Sequence, residues 1–185
     1  EFGTEWCFFH HRFGMDFTWY QTNTKNQLLR MDNPTGSTYK YRYVNAGKIR
    51  NQGFELTVDA TPLLYRNFSW KSLINMSANK NKVVTLHPDY PEFSYYEEGF
   101  NAGYQMRVKE GGSLGDIYGN AFRRNEDGSI MVDETSKRPL GNTGNKDLLG
   151  NANPDFTMGW SNTLTYKDLE LYFLIDFRFG GEVMS

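Results

Sequence analysis

Apolar and polar residues alternate along most of this chain with a period of two, and no stretch sustains a helical apolar stripe over three turns. Successive side chains of a strand point to opposite faces, so this alternation describes sheets with one apolar side and one polar side. In residues 169–179, Leu169, Leu171, Phe173, Ile175, Phe177 and Phe179 share one face, and Glu170, Tyr172, Asp176 and Arg178 the other, with Leu174 as the exception. Before it, Phe156, Met158, Trp160, Leu164 and Tyr166 alternate with Thr157, Gly159, Ser161, Thr163 and Thr165, and Lys167 with Asp168 makes the tight turn between the two runs. Phe13, Met15, Phe17 and Trp19 alternate with Gly14, Asp16, Thr18 and Tyr20, as do Phe54, Leu56, Val58 and Ala60 with Glu55, Thr57 and Asp59. After a short turn around Pro62, Phe68, Trp70, Ile74, Met76 and Ala78 alternate with Ser69, Lys71, Asn75, Ser77 and Asn79. The chain is predicted to be all-β, with antiparallel strands.

These runs are roughly ten residues long, the length a tilted strand needs to cross a bilayer, whereas strands of soluble proteins cluster near five or six. Connections alternate too: short at residues 10–12, 61–67 and 167–168, long at residues 23–43 and 80–155. Outer-membrane barrels have brief periplasmic turns on one side and long extracellular loops on the other. With residues 2–9 as a further strand, about six membrane strands alternate in direction and every short turn falls on one side. The pattern therefore predicts part of a large transmembrane β-barrel. The insert 80–155 is expected to hold a hairpin above the membrane, residues 116–122 pairing with 129–133 across the Asp127-Gly128 turn. A soluble or surface-attached β-sandwich, which binds carbohydrate through its loops, is the alternative that the same alternation allows.

Composition narrows the choice. Hydrophobic residues are 38% of the 185 and the net charge is −2, so a helical membrane span is excluded while a barrel with a polar lumen is not. Aromatic residues reach 16%, with 14 Phe, 12 Tyr and 4 Trp, as suits strands, sugar-stacking surfaces and membrane interfaces. Near-neutral charge argues against nucleic acid, which needs a concentrated basic face. Cys7 is the single cysteine, so no intrachain disulfide and no cysteine metal cluster is expected. Residues 1–12 lack the basic and apolar segments of a leader; either one was removed or the chain begins inside a longer protein.

Particular words of the sequence add to the rhythm. Residues 45–56, NAGKIRNQGFEL, are followed by the aromatic strand 67–83, NFSWKSLINMSANKNKV, then by 110–119, EGGSLGDIYG, and by 149–171, LGNANPDFTMGWSNTLTYKDLEL. This order and spacing resemble the SusC/RagA type of TonB-dependent outer-membrane transporter over nearly the whole chain, including the strand at residues 5–22. The resemblance implies a barrel of about twenty-two strands around a plug, of which this chain would supply about six, with the plug and the final strands absent. It further implies import of a glycan oligomer or sometimes a peptide, a SusD-like lipoprotein over the extracellular mouth, and energy from TonB, ExbB and ExbD.

Within this frame Gly47, Gly53 and Gly159 are read as bends, bulges or close approaches of the backbone. Asn45, Asn51, Asn75 and Asn79 are read as structural hydrogen-bonding groups of the lumen or rim, and Asp176 and Arg178 are expected to face inward, away from lipid. Tyr90, Phe93, Tyr95 and Tyr96 crowd the long loop beside Glu97 and Glu98; rings next to acceptors are how proteins hold sugars or peptides, and these four are the candidate substrate-binding residues. The plainer alternative is that they pack the loop on itself or against a lipoprotein. His10 and His11 are adjacent, and His87 is isolated, so no metal site is expected. Nucleotide, metalloprotease, serine-hydrolase and EF-hand spacings are missing, and the acids Glu97, Glu98, Asp127, Asp133 and Glu134 read as solvated rather than as a glycosidase pair. No cofactor and no enzymatic activity is expected.

Overall fold

A computed structural model describes residues 1–33, 36–45, 47–88, 91–96, 104–142 and 146–183. These residues form twelve strands: β1 (Phe2–Phe8), β2 (Phe13–Lys25), β3 (Leu28–Asp32), β4 (Tyr41–Asn45), β5 (Lys48–Tyr65), β6 (Phe68–Thr85), β7 (Glu92–Tyr96), β8 (Tyr104–Lys109), β9 (Asp116–Gly119), β10 (Asp147–Asn151), β11 (Pro154–Tyr166) and β12 (Leu169–Gly180). The chain divides into two compact units, Glu1–Asn23 with Arg50–Asn81 and Asn153–Gly181, and Thr24–Ile49 with Lys82–Ala152 and Glu182–Ser185.

The first unit is built on a six-stranded sheet of order β1-β2-β5-β6-β11-β12. Its register gathers the apolar rows: Phe156 lies opposite Phe179, Met158 opposite Phe177 and Met76, Trp160 opposite Ile175 and Ile74, and Tyr166 opposite Leu169 and Phe68. Trp6 opposes Met15 and Phe8 opposes Phe13 at the other end of the strand order. Phe156 and Phe179 stack at 4.4 Å and Phe17 and Phe54 at 6.2 Å across strand pairs. The turns are tighter than the sequence suggests at one place. The connection expected at 61–67 narrows to Arg66 and Asn67, because β5 runs through Pro62 to Tyr65. Proline interrupts a ladder only where its N–H is needed, and beyond the start of β2 the Arg12 guanidinium, not a strand, donates to the Thr61 and Pro62 carbonyls at 3.0–3.3 Å.

Gly53 and Gly159 prove to be different. A Cβ on Gly53 would collide with the Ala78 carbonyl oxygen and the Tyr20 ring, whereas one on Gly159 would meet Asp176 at an ordinary 3.4 Å. Gly53 is thus a close approach and Gly159 a plain strand position. Gly47, in the second unit, has a φ of 82° and faces the Thr85 carbonyl, where a side chain is both strained and crowded.

The second unit carries a four-stranded sheet of order β10-β9-β8-β7 and a separate β3-β4 ribbon. Val83, Leu86 and Val108 form its buried cluster with Leu114 against it, and Ile49 and Ile117 are also buried. Two of the sequence words meet here. Asp116 of the glycine-rich segment accepts from the Ser113 N–H at 2.8 Å and from the Asn151 side-chain amide at 2.8 Å, while the Ala152 N–H donates to the Gly115 carbonyl. The Asn151 N–H in turn donates to Glu182 at 2.7 Å.

This anchoring corrects the expected hairpin. Residues 116–119 pair with β8 and β10 rather than with 129–133, since both longer partners flank them and Asp116 is pinned. The turn itself forms as expected: the Asn125 and Gly128 amides close it on Ser129 and Asn125, with Gly128 at φ 86°. Its arms join residues 138–142 in a closed ring of backbone bonds, Met131 donating to Arg123, Arg123 to Leu140 and Leu140 to Met131, each at 2.8–2.9 Å.

Replacing Gly53 with alanine is expected to destabilise the parent barrel by about 1–3 kcal/mol through overpacking, and Gly159→Ala by well under that, as read by urea unfolding of the two variants in lipid vesicles.

Candidate functional site

The two units bury opposite kinds of side chain. Among the described residues all five buried hydrophobic side chains, Ile49, Val83, Leu86, Val108 and Ile117, belong to the second unit. In the first unit no large apolar side chain is fully buried among the described residues: on the edge strands β1 and β12 Phe2 is 63% exposed, Trp6 51% and Leu171 59%, and the apolar residues of the central strands are mostly half-buried. The one large side chain described there that is fully buried is polar, Asn162 at 1%. A sheet built for water would invert this, burying its apolar row and exposing the amide. Apolar rows left exposed or only half-buried across the sheet suit an apolar medium.

Asn162 shows how the apolar face tolerates a polar group. It sits in the row between Trp160 and Leu164, opposite Ser72 and Phe173. The Trp70 indole N–H donates to its Oδ1 at 2.8 Å, and the Trp160 indole N–H donates to the Ser72 hydroxyl at 2.8 Å. The two indole N–H groups satisfy the two oxygens, whereas the buried Asn162 Nδ2 has no partner among the described residues; Phe173 lies edge-on to Trp160 at 6.4 Å. The signal in the sequence was the break at position 162 in an otherwise apolar row.

The opposite face is polar. Thr57 donates to Asn75 at 3.0 Å, Asn81 to Asn51 at 2.8 Å, Tyr20 to Asn79 at 3.2 Å, and Ser77 meets Thr157 at 3.0 Å. Three of the four asparagines singled out from the sequence are thus engaged across strands; Asn45 pairs with Leu28 at the end of the β3-β4 ribbon. A groove of about 730 Å³ runs along this face, with Glu55, Asp176 and Arg178 on its walls. Asp176 and Arg178 face the polar side.

Of the four candidate substrate residues, Tyr90 lies outside the described residues, as do Glu97 and Glu98. Phe93, Tyr95 and Tyr96 fall on β7, which pairs with β8. Beside β7 runs β3, and its ribbon partner β4 presents aromatic residues in a stretch that the sequence alone suggests is loop. Tyr39, Tyr41 and Tyr43 are 75%, 40% and 67% exposed, and the Arg30 guanidinium lies 4.5 Å over the Tyr41 ring. The alternating Tyr-Lys-Tyr-Arg-Tyr of residues 39–43 was the available signal.

Elsewhere in the second unit, desolvation and then the Asp116 carboxylate push the Tyr118 phenol above its ordinary range, against the opposing Arg107. The Ser129 hydroxyl and amide hold Asp127 below the usual carboxylate range, and the Ser136 amide does the same for Asp133. These acids cap turns. His10 and His11 lie in the first turn with φ of 55° and 64°, not on a strand, and His11 Nδ1 is 3.0 Å from Cys7 Sγ. Among the described residues no three His, Cys, Asp or Glu are grouped to hold a metal.

Residues 1–180 match the family model described as TonB dependent receptor-like, beta-barrel. The chain belongs to the TonB-dependent receptor β-barrel family. It is 25% identical over 203 residues to TonB-dependent receptor P3 of Formosa agariphila, covering 100% of this chain and 20% of that protein. It is 23% identical over 181 residues to TonB-dependent receptor SusC of Bacteroides thetaiotaomicron, covering 92% and 18%. In fold it is similar to a chain of the RagAB peptide transporter, with a TM-score of 0.72 at 16% identity over 94% of this chain and 20% of that one. The RagAB peptide importer in its closed-closed state gives 0.73 at 16%, over 97% and 20%. The chain thus spans about a fifth of the length of these relatives. The receptor sheet is an open arc of an outer-membrane barrel, with β1 and β12 at its edges, and the sandwich alternative is set aside.

Adjacent residues near the middle of β12 test the two faces. Ile175→Arg, on the apolar row, is expected to cost the parent barrel about 2–4 kcal/mol, and Leu174→Arg, on the polar side, within about 0.5 kcal/mol, in urea-titrated folding into vesicles.

Proposed function

We propose that the protein containing this chain actively imports nutrient oligomers across the outer membrane, glycans foremost and peptides as the second class. It works with a SusD-like lipoprotein that covers the extracellular mouth, and TonB with ExbB and ExbD supplies the energy. The observation that carries this reading is the sheet with lipid-suited residues on one face and hydrogen-bonded amides, hydroxyls and acids on the other, in a chain of the receptor family. The relative named TonB-dependent receptor SusC supports TonB-driven import, and the RagAB neighbours, described as a peptide transporter, keep peptides in the substrate class.

In this arrangement the sheet of the first unit is the membrane arc of the barrel and the second unit lies on the extracellular side. Its water-type core suits that position. Tyr90, Phe93, Tyr95 and Tyr96 would meet substrate or lipoprotein there. The groove with Glu55, Asp176 and Arg178 would line the lumen, toward the plug. The complete protein, rather than this chain alone, carries out binding and passage, in keeping with a family of transporters rather than enzymes.

Uptake of a fluorescently labelled oligosaccharide by cells expressing the complete transporter and its neighbouring lipoprotein is expected to disappear on deletion of TonB. Uptake that persists without TonB would contradict the proposal.

A further inference from the structure

Charge is distributed unevenly in this chain. Residues 24–49 contain Lys25, Arg30, Lys40, Arg42 and Lys48 against the single acid Asp32, a net of +4 in a chain whose total is −2. The remainder therefore carries −6. The same segment forms the β3-β4 ribbon, in which Tyr43 lies opposite Arg30 and Tyr41 opposite Asp32.

Tyr41 and Tyr43, two positions apart on β4, share a face of the ribbon, about 7 Å from one another along the strand. Both rings are open to solvent, as is Tyr39 just before the strand. Tyr41 has a cation at each hand: the Arg30 guanidinium at 4.5 Å and the Lys40 ammonium at 5.2 Å from its centroid. Open rings offer flat apolar area to a sugar face, and a guanidinium held over one of them keeps its N–H edge available to a carboxylate or sulfate in bidentate geometry. Neutral sugars would use the rings and gain only ordinary hydrogen bonds from the cations, without the charge-assisted part. A purely anionic ligand would use the cations and gain nothing from the rings. The two together fit a ligand that carries both.

We propose that the β3-β4 ribbon is a binding surface for acidic oligosaccharides, stacking sugar rings on Tyr41 and Tyr43 and pairing their uronate or sulfate groups with Arg30. This deepens the import reading above and rests on the ribbon lying on the substrate side of the barrel. β3 also runs beside β7, the strand on which Phe93, Tyr95 and Tyr96 fall.

The experiment is calorimetry on the intact transporter with its lipoprotein in nanodiscs. The ligands are matched-length oligosaccharides that are neutral, uronic or sulfated, an acidic peptide of equal charge, and lipopolysaccharide. The acidic oligosaccharides are expected to bind about tenfold more tightly than the neutral one, and the advantage to shrink between low and high salt. Arg30→Gln should remove most of that advantage, and Tyr43→Ala should weaken both kinds of sugar while Tyr43→Phe retains binding. Equal affinity for neutral and acidic sugars, a preference for the peptide, binding of lipopolysaccharide alone, or indifference to all three variants would each overturn the assignment. TonB-dependent uptake of a neutral glycan alongside any of these results would leave the import reading standing, so the two failures are separable.

Discussion

Inside a bilayer no water is available to backbone N–H and C=O groups, so a chain can cross only if strands or helices satisfy every one of them internally. In this protein a ladder of six antiparallel strands pairs the backbone of the four inner strands on both sides and leaves the outer edges of β1 and β12 to further strands, and the rest follows from which side chains that ladder then presents. The row facing lipid must be apolar and the row facing the lumen need not be. Phe, Leu, Ile, Met and Trp gather on one face accordingly, while Thr, Ser, Asn, Asp and Glu line the other, several of them bonded to one another across strands. Where the lipid row admits Asn162 and Ser72, indole N–H groups donate to the Asn162 Oδ1 and the Ser72 hydroxyl, while the buried Asn162 Nδ2 has no hydrogen-bond partner among the described residues, which carries a desolvation cost.

The second unit obeys the ordinary rule of proteins in water, with Val83, Leu86 and Val108 inside. Its sequence words are recognisable because they interlock. Asp116, Asn151 and Glu182 are far apart in the chain yet joined by short hydrogen bonds, so a change at Asp116 removes the acceptor that holds the Ser113 amide and the Asn151 side chain together. Two opposite burial patterns thus occur in one chain, an apolar core in the second unit and open or half-buried apolar rows in the first.

Much of this was legible in the order of residues alone. The period-two rows determine which residues share a face in β2, β5, β6, β11 and β12, and the inward side of Asp176 and Arg178 followed from them. Tertiary partners were not legible. Residues 116–119 alternate like one arm of a local hairpin, but β8 and β10 compete for their backbone and the pinned Asp116 decides the outcome. Pro62 reads as a turn because proline usually ends strands; here an arginine side chain takes the place of the missing neighbour. The aromatic candidates on β7 stand out by ring density alone, whereas Tyr41 and Tyr43 do not, because a short alternating ribbon inside a long connection looks like loop.

Substrate class and membrane side both depend on the apolar row of each long strand meeting lipid. Nitroxide labels placed one at a time at residues 172–177 of the intact parent in a bilayer test this most directly. Collision with oxygen, which dissolves in lipid, should be high at 173, 175 and 177 and low at 172, 174 and 176, with a water-soluble relaxation agent giving the opposite pattern. Loss of that alternation, or water-side accessibility at Phe173, Ile175 and Phe177, would contradict the account.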